Sequence, residues 1–179
     1  YWNFWGVVVM AIQMILCVET KKSADTDSIY ILDTISRWYK VDNKVKISKI
    51  NMNSKSRYNS KDVVREIAKK EKEFVLGDTH VIYFIDTDQY ERNPEHEREW
   101  KEISYFCESN GFDLVWFCHD VEEVFWGHKV SDSQKVQEAI AFRKKKRIGE
   151  VSAERLSCTT IRTSASNILK VFDKYLERK

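Results

Sequence analysis

The segment that most constrains this chain is Val81–Ile85, VIYFI, a run of β-branched and aromatic residues closed by the carboxylates Asp86 and Asp88. A half-exposed strand alternates apolar with polar residues, so a run without alternation predicts a strand covered on both faces, in the middle of a parallel sheet. At the carboxyl edge of such a sheet the chain leaves the core for a loop, and that edge is where α/β proteins place their chemistry. Side chains two apart on an extended chain point the same way, so Asp86 and Asp88 are expected to face one hard cation, Mg²⁺ or Mn²⁺. The alternative for the same residues is a polar turn, in which Asp and Thr are common.

Ala11–Val18 is a second continuously apolar run, and it ends at Glu19. Phe112–Cys118 is a third, followed by His119, Asp120, Glu122 and Glu123, while Val45–Met52 predicts a shorter strand with a bulge or a frayed end. Helical spacing covers Ile29–Tyr39, with Asp25 or Asp27 as its cap, and Ser60–Phe74, with Ser60 as cap and Val63, Val64, Ile67 and Phe74 facing inward. Pro94 opens a further helix that Asn110-Gly111 stops. Beyond Val124 a helix is expected to bury Val136, Ile140 and Phe142, and a closing helix capped by Ser164 or Ser166 carries Ile168, Leu169, Val171 and Phe172. Strands and helices alternate, which predicts an α/β fold with a central parallel sheet of about four strands, right-handed crossovers and helices on both faces.

A chain of 179 residues with 42% hydrophobic and 32% charged content is expected to form one globular domain, here Met10–Lys179. One proline and five glycines leave no room for linkers. The first eighteen residues carry no charge, but Asn3 and Gln13 interrupt them and no basic flank precedes them. A spanning helix needs about 20 apolar residues, so no membrane association is expected and Tyr1–Val9 is read as an upstream extension. Cys17, Cys107, Cys118 and Cys158 form no CxxC pair and read as reduced core thiols of a cytoplasmic protein. The histidines follow no zinc-ligand spacing, and His119 reads as a neutral cap of the next helix.

Glu19, the Asp86/Asp88 pair and Glu122/Glu123 each follow a strand, so the acids are expected to converge at one sheet edge on one cation or a shared pair of ions. Carboxylates that close repel one another unless a divalent cation or raised pKa values offset the repulsion. Lys21 and Lys22 lie at the same edge, and the run Arg143, Lys144, Lys145, Lys146, Arg147 is a further candidate for holding phosphates. Trp126 is the tryptophan best placed to stack a base at the surface.

These residues carry a resemblance. A glutamate closing the first strand (ILCVE), two βα units and then VIYFIDTD is similar to the TOPRIM arrangement of topoisomerases, bacterial primases and OLD-type nucleases. The segment HDVEEVFWGH and the tail TTIRTSASNILKVFDKYL resemble the corresponding parts of RloB-like proteins, so the likeness spans Met14 to Leu176. It implies a TOPRIM-like fold in which Glu19 acts in acid/base chemistry, Asp86 and Asp88 bind Mg²⁺ or Mn²⁺, and Glu123 is the fourth acid, with Glu122 as the alternative in that register. Thr20 stands where the pattern has a small residue, often glycine, and Val121-Glu122 stand where it has Cys-Phe.

The function so implied is a metal-dependent nuclease of bacterial defence that acts on DNA or RNA, with a partner ATPase or other defence protein possible. Two other readings are a non-catalytic binding module whose acids only cap helices, and a nucleotide-sugar transferase in which the DxD holds the metal. The last leaves Glu19 without a role.

Overall fold

The computed structural model describes residues 11–179, so the reading of Tyr1–Val9 as an extension, with Met10, lies outside the described residues. Ala11–Val18 (β1), Val45–Asn51 (β2), Gly77–Asp86 (β3) and Asp113–Phe117 (β4) form one all-parallel sheet in the order β2-β1-β3-β4. β1 is central, and its side chains divide between two cores. Met14, Leu16 and Val18 point to one face and Ile15 and Cys17 to the other, and all five are buried. That two-sided burial is why the strand carries no polar alternation. Gln13 is fully buried in the same strand, and its amide donates to the Lys70 carbonyl at 3.0 Å while its oxygen accepts from Ser48 at 3.2 Å.

The helices are Asp27–Trp38 (α1), Lys61–Glu73 (α2), Pro94–Asn110 (α3), Val121–Trp126 (α4), Lys135–Lys144 (α5) and Ile168–Phe172 (α6). α1, α4, α5 and α6 cover one face through Tyr30, Ile31, Phe125, Phe142 and Phe172, whereas α2 and α3 cover the other through Val63, Ile67, Ile103 and Cys107. Right-handed crossovers demand this division, because the chain moves one way from β1 to β2 and the other way from β2 to β3 and on to β4. The result is a Rossmann-like α/β layer structure.

Several local signals act as expected. Ser60 accepts from the Val63 N–H at 3.4 Å, Pro94 sits in the first turn of α3, and Gly111 ends that helix in the left-handed conformation at φ 67°. The cap of α6 is Asn167 rather than Ser164 or Ser166, although Ser166 Oγ accepts from the Ile168 N–H at 3.1 Å. Gly77 opens β3 against its neighbour, where a Cβ would fall 1.7 Å from the Ala11 carbonyl oxygen.

Other expectations are corrected. β2 pairs with β1 in unbroken register from Ile12↔Val45 to Val18↔Asn51, without a bulge. Val64, Val136 and Ile140 are exposed. Phe142 is buried as expected, and α5 packs through it together with Ala139, so the buried face is turned by about 110° from the exposed Val136 and Ile140. The four cysteines are free and buried, and no described helix is long and apolar enough to cross a membrane.

Candidate acidic crevice at the switch point

In the order β2-β1-β3-β4 the chain reverses direction between β1 and β3, and the crevice outside the carboxyl ends of those two strands is where open α/β sheets bind ligands. Glu19 leaves β1 and Asp86 ends β3 at that point. The two are joined directly: the Asp86 N–H donates to Glu19 Oε1 at 2.6 Å. The turn after Asp86 is pinned to the next strand, since Thr87 N–H donates to the Phe117 carbonyl and Asp88 N–H to the His119 carbonyl, both at 2.9 Å. Asp88 adopts a left-handed backbone at φ 50°, which a short polar side chain tolerates.

Two further acids enter the crevice. Asp27, in the first turn of α1, is 7% exposed, and Glu122, in the first turn of α4, is 1% exposed. Burial pushes Glu19 up to about 8, assisted by the charges of Asp27 and Asp88 and opposed by Lys55 and by the Asp86 N–H. Burial, then the charges of Glu122 and Asp25, push Asp27 up to about 7. Asp86 is raised well above the usual carboxylate range by burial and by Glu19, Asp27 and Glu122. Burial also raises Glu122, against the pull of Lys135.

Lysines balance part of this charge. Lys55, in the 3₁₀ turn Lys55–Arg57 after β2, donates to the Asp86 carbonyl at 3.2 Å, pairs with Asp88 and stands 3.2 Å from Glu99. Lys135 opens α5 and stands 3.1 Å from Glu122 Oε2. That contact lacks hydrogen-bond alignment, and both Glu122 carboxylate oxygens are buried without a hydrogen-bond donor. Glu123 faces away. Its carboxylate accepts from Ser164 at 3.2 Å and lies 3.3 Å from His119 Nδ1.

His119 is therefore no simple neutral cap. Its other nitrogen lies 2.6 Å from Glu91, and although burial lowers its pKa, the bonds to Glu91 and Glu123 raise it above the ordinary value. These groups border a cavity of about 410 Å³ with Asp88, His96 and Lys129, next to the crevice.

The chain matches no protein-family model, no curated protein and no solved structure.

The expectation that Glu19, Asp86, Asp88 and Glu123 converge on one cation is corrected in its details. Among the described residues no three His, Cys, Asp or Glu side chains form a ready cation site, because Lys55 draws Asp88 aside and His119 draws Glu123. The residues that share one electrostatic neighbourhood are Glu19, Asp27, Asp86 and Glu122, so the alternative register at the α4 acids is the one beside Asp86. As a donor set they suit a hard divalent cation. All are carboxylates, their charges repel, and Glu122 Oε1 is buried with no hydrogen-bond partner, the kind of orphan that a cation satisfies.

Lys21 and Lys22 lie exposed at the same edge, just after Glu19. Arg143–Arg147 does not lie there. Arg143 bonds Asp33 at 2.9 Å on the flank of α1, and Arg147 pairs with Glu150 at 2.8 Å and covers the Trp126 ring at 4.8 Å. Trp126 is thus occupied, with its indole N–H donating to Tyr30 at 3.1 Å. Sequence reasoning missed Lys55 and took Asp27 for a cap alone. A signal for both exists: in a parallel sheet the segments after β1 and β2 leave at one edge, so charges in those segments face one crevice.

Proposed function

We propose that the chain is a metal-dependent phosphodiesterase acting on nucleic acid, with chemistry of the TOPRIM type. One observation carries this reading: Glu19 and Asp86, both half-buried, meet across the β1/β3 switch point, joined by a 2.6 Å hydrogen bond, in the same electrostatic neighbourhood as the buried carboxylates of Asp27 and Glu122. Asp86, Asp88 and Glu122 would hold Mg²⁺ or Mn²⁺. Such an ion, when bound, offsets phosphate charge and lowers the pKa of a water. Asp88 would join this set only if freed from Lys55, whose ammonium would keep its contacts with the Asp86 carbonyl and Glu99. Glu19 handles the proton, positioned beside the acid cluster by the bond it accepts from the Asp86 N–H. Lys21 and Lys22 hold flanking phosphates at the rim.

The second reading, a non-catalytic module, is favoured by the lysines themselves, because Lys55 and Lys135 already stand beside Asp88 and Glu122. The test is cleavage of labelled DNA and RNA by the purified chain with Mn²⁺. Cleavage of either supports the enzyme. Inactivity on both, with the metal present, overturns it and leaves the module.

A further inference from the structure

α1 and α5 both start at the acid edge, for Asp27 opens the first and Lys135, paired with Glu122, opens the second. Both run to the other side of the molecule. There Arg37, Arg143, Lys146 and Lys179 border a cavity of about 520 Å³, in which Asp33 is the one acidic side chain among the described residues. Ten residues of α1 separate Asp27 from Arg37, which at 1.5 Å per residue is about 15 Å.

Arg143 is already committed, bonded to Asp33 at 2.9 Å and to the Ile29 carbonyl at 3.2 Å, and so forms a fixed wall. Arg37 and Lys146 are exposed and make no ion pair among the described residues, and the Lys179 ammonium donates to the Ser36 carbonyl. A helix carboxyl end favours one nearby cation, which accounts for Arg37 and Arg143. It does not account for Lys146. That residue follows the cap of α5 at φ 52° and ψ 37°, the left-handed position at which glycine is the unstrained choice. Backbone geometry alone selects glycine there, and the sequence holds a cation instead.

We propose that this groove is a second contact for a nucleic-acid backbone, engaged by strands long enough to reach it from the acidic crevice. The inference rests on the nucleic-acid reading of that crevice. Separate exposed cations can each neutralise one phosphate of a nucleic-acid backbone. At about 3.4 Å per nucleotide of a stacked strand, about 15 Å in a straight line corresponds to roughly four nucleotide steps, and the path over the surface is longer, so the shortest strands reach one site only.

The experiment is fluorescence anisotropy of labelled single strands of about 4, 8 and 16 nucleotides with the full chain in Ca²⁺, across a salt series. Wild type is expected to gain affinity steeply between the shortest strand and the next. Lys146→Gly and Arg37→Ala are each expected to weaken binding of the longest strand roughly fivefold at low salt. Each should also shrink the log–log salt slope by about 0.7. Lys146→Gly separates this effect from misfolding, because glycine relaxes the backbone: its melting temperature should equal or exceed that of wild type. If both variants bind the longest strand as wild type does, or if strand length makes no difference, the groove is not a contact and the crevice reading stands. If wild type binds no strand of any length, both readings fall.

Discussion

Glu19→Gln is expected to retain binding of nucleic acid and Mn²⁺ while cleaving roughly 10²–10⁴-fold more slowly than wild type. The amide keeps the shape of the side chain and an oxygen that can accept the Asp86 N–H, which wild type holds at 2.6 Å. It cannot take or return a proton. In the metal-free protein burial and the charges of Asp27 and Asp88 raise its carboxyl to about 8, and the Asp86 N–H holds it beside the acid cluster where a proton must move. Single-turnover cleavage under saturating Mn²⁺ makes the comparison. A variant as fast as wild type would remove Glu19 from the chemistry and leave it as a brace between β1 and β3.

The second large effect is on metal-free stability. Glu19 moves from the ordinary 4.5 to about 8 on folding and Asp27 from 3.8 to about 7, so between those limits the folded chain binds more protons than the unfolded one. Stability linked to these groups is therefore full below about pH 4 and is lost as pH rises toward 8. Asp86→Asn takes one charge out of the cluster. At pH 8 without metal it should stabilise the protein by about 1–2 kcal/mol, roughly 2–8 °C in melting temperature for a domain of this size. The dependence on pH should also flatten. Thermal denaturation in a chelator at pH 5 and pH 8 measures both, and a variant that melts lower than wild type at pH 8 would show that the acids are not in conflict.

How far the chain could be read in advance depended on the kind of signal. The runs Ala11–Val18 and Val81–Ile85 announced buried parallel strands because covering both faces removes alternation, and Glu19 and Asp86 followed from where those strands end. Ser60, Pro94 and Gly111 marked helix ends through local backbone chemistry that needs no tertiary context. Helix faces were less legible. In α5 Phe142 is buried as its type suggests, against Tyr30 and Phe125, but the small Ala139 is buried with it whereas Val136 and Ile140 are exposed. Asp27 could be placed at the start of a helix, yet its burial depends on α4 bringing Glu122 beside it, a contact between segments 95 residues apart in number. Lys55 sits in a polar turn that carries no periodic signal, and only the parallel topology brings it to Asp88. The basic run 143–147 was legible as charge but not as position, because helix length and direction, rather than composition, carry it away from the acids.

The central claim is that the buried carboxylates at the switch point are a divalent-cation site. Calorimetric titration of the purified chain with Mn²⁺ at pH 7, in two buffers of different ionisation enthalpy, tests it most directly. Wild type should bind the ion and release protons as it does so, because acids raised toward neutrality must deprotonate to serve as ligands. At a hundredfold excess over Kd the bound ion should add about 2.7 kcal/mol of stability. Asp86→Asn should lose both the binding and the proton release. Binding by Asp86→Asn equal to that of wild type, or no binding by wild type at millimolar Mn²⁺, would contradict the claim.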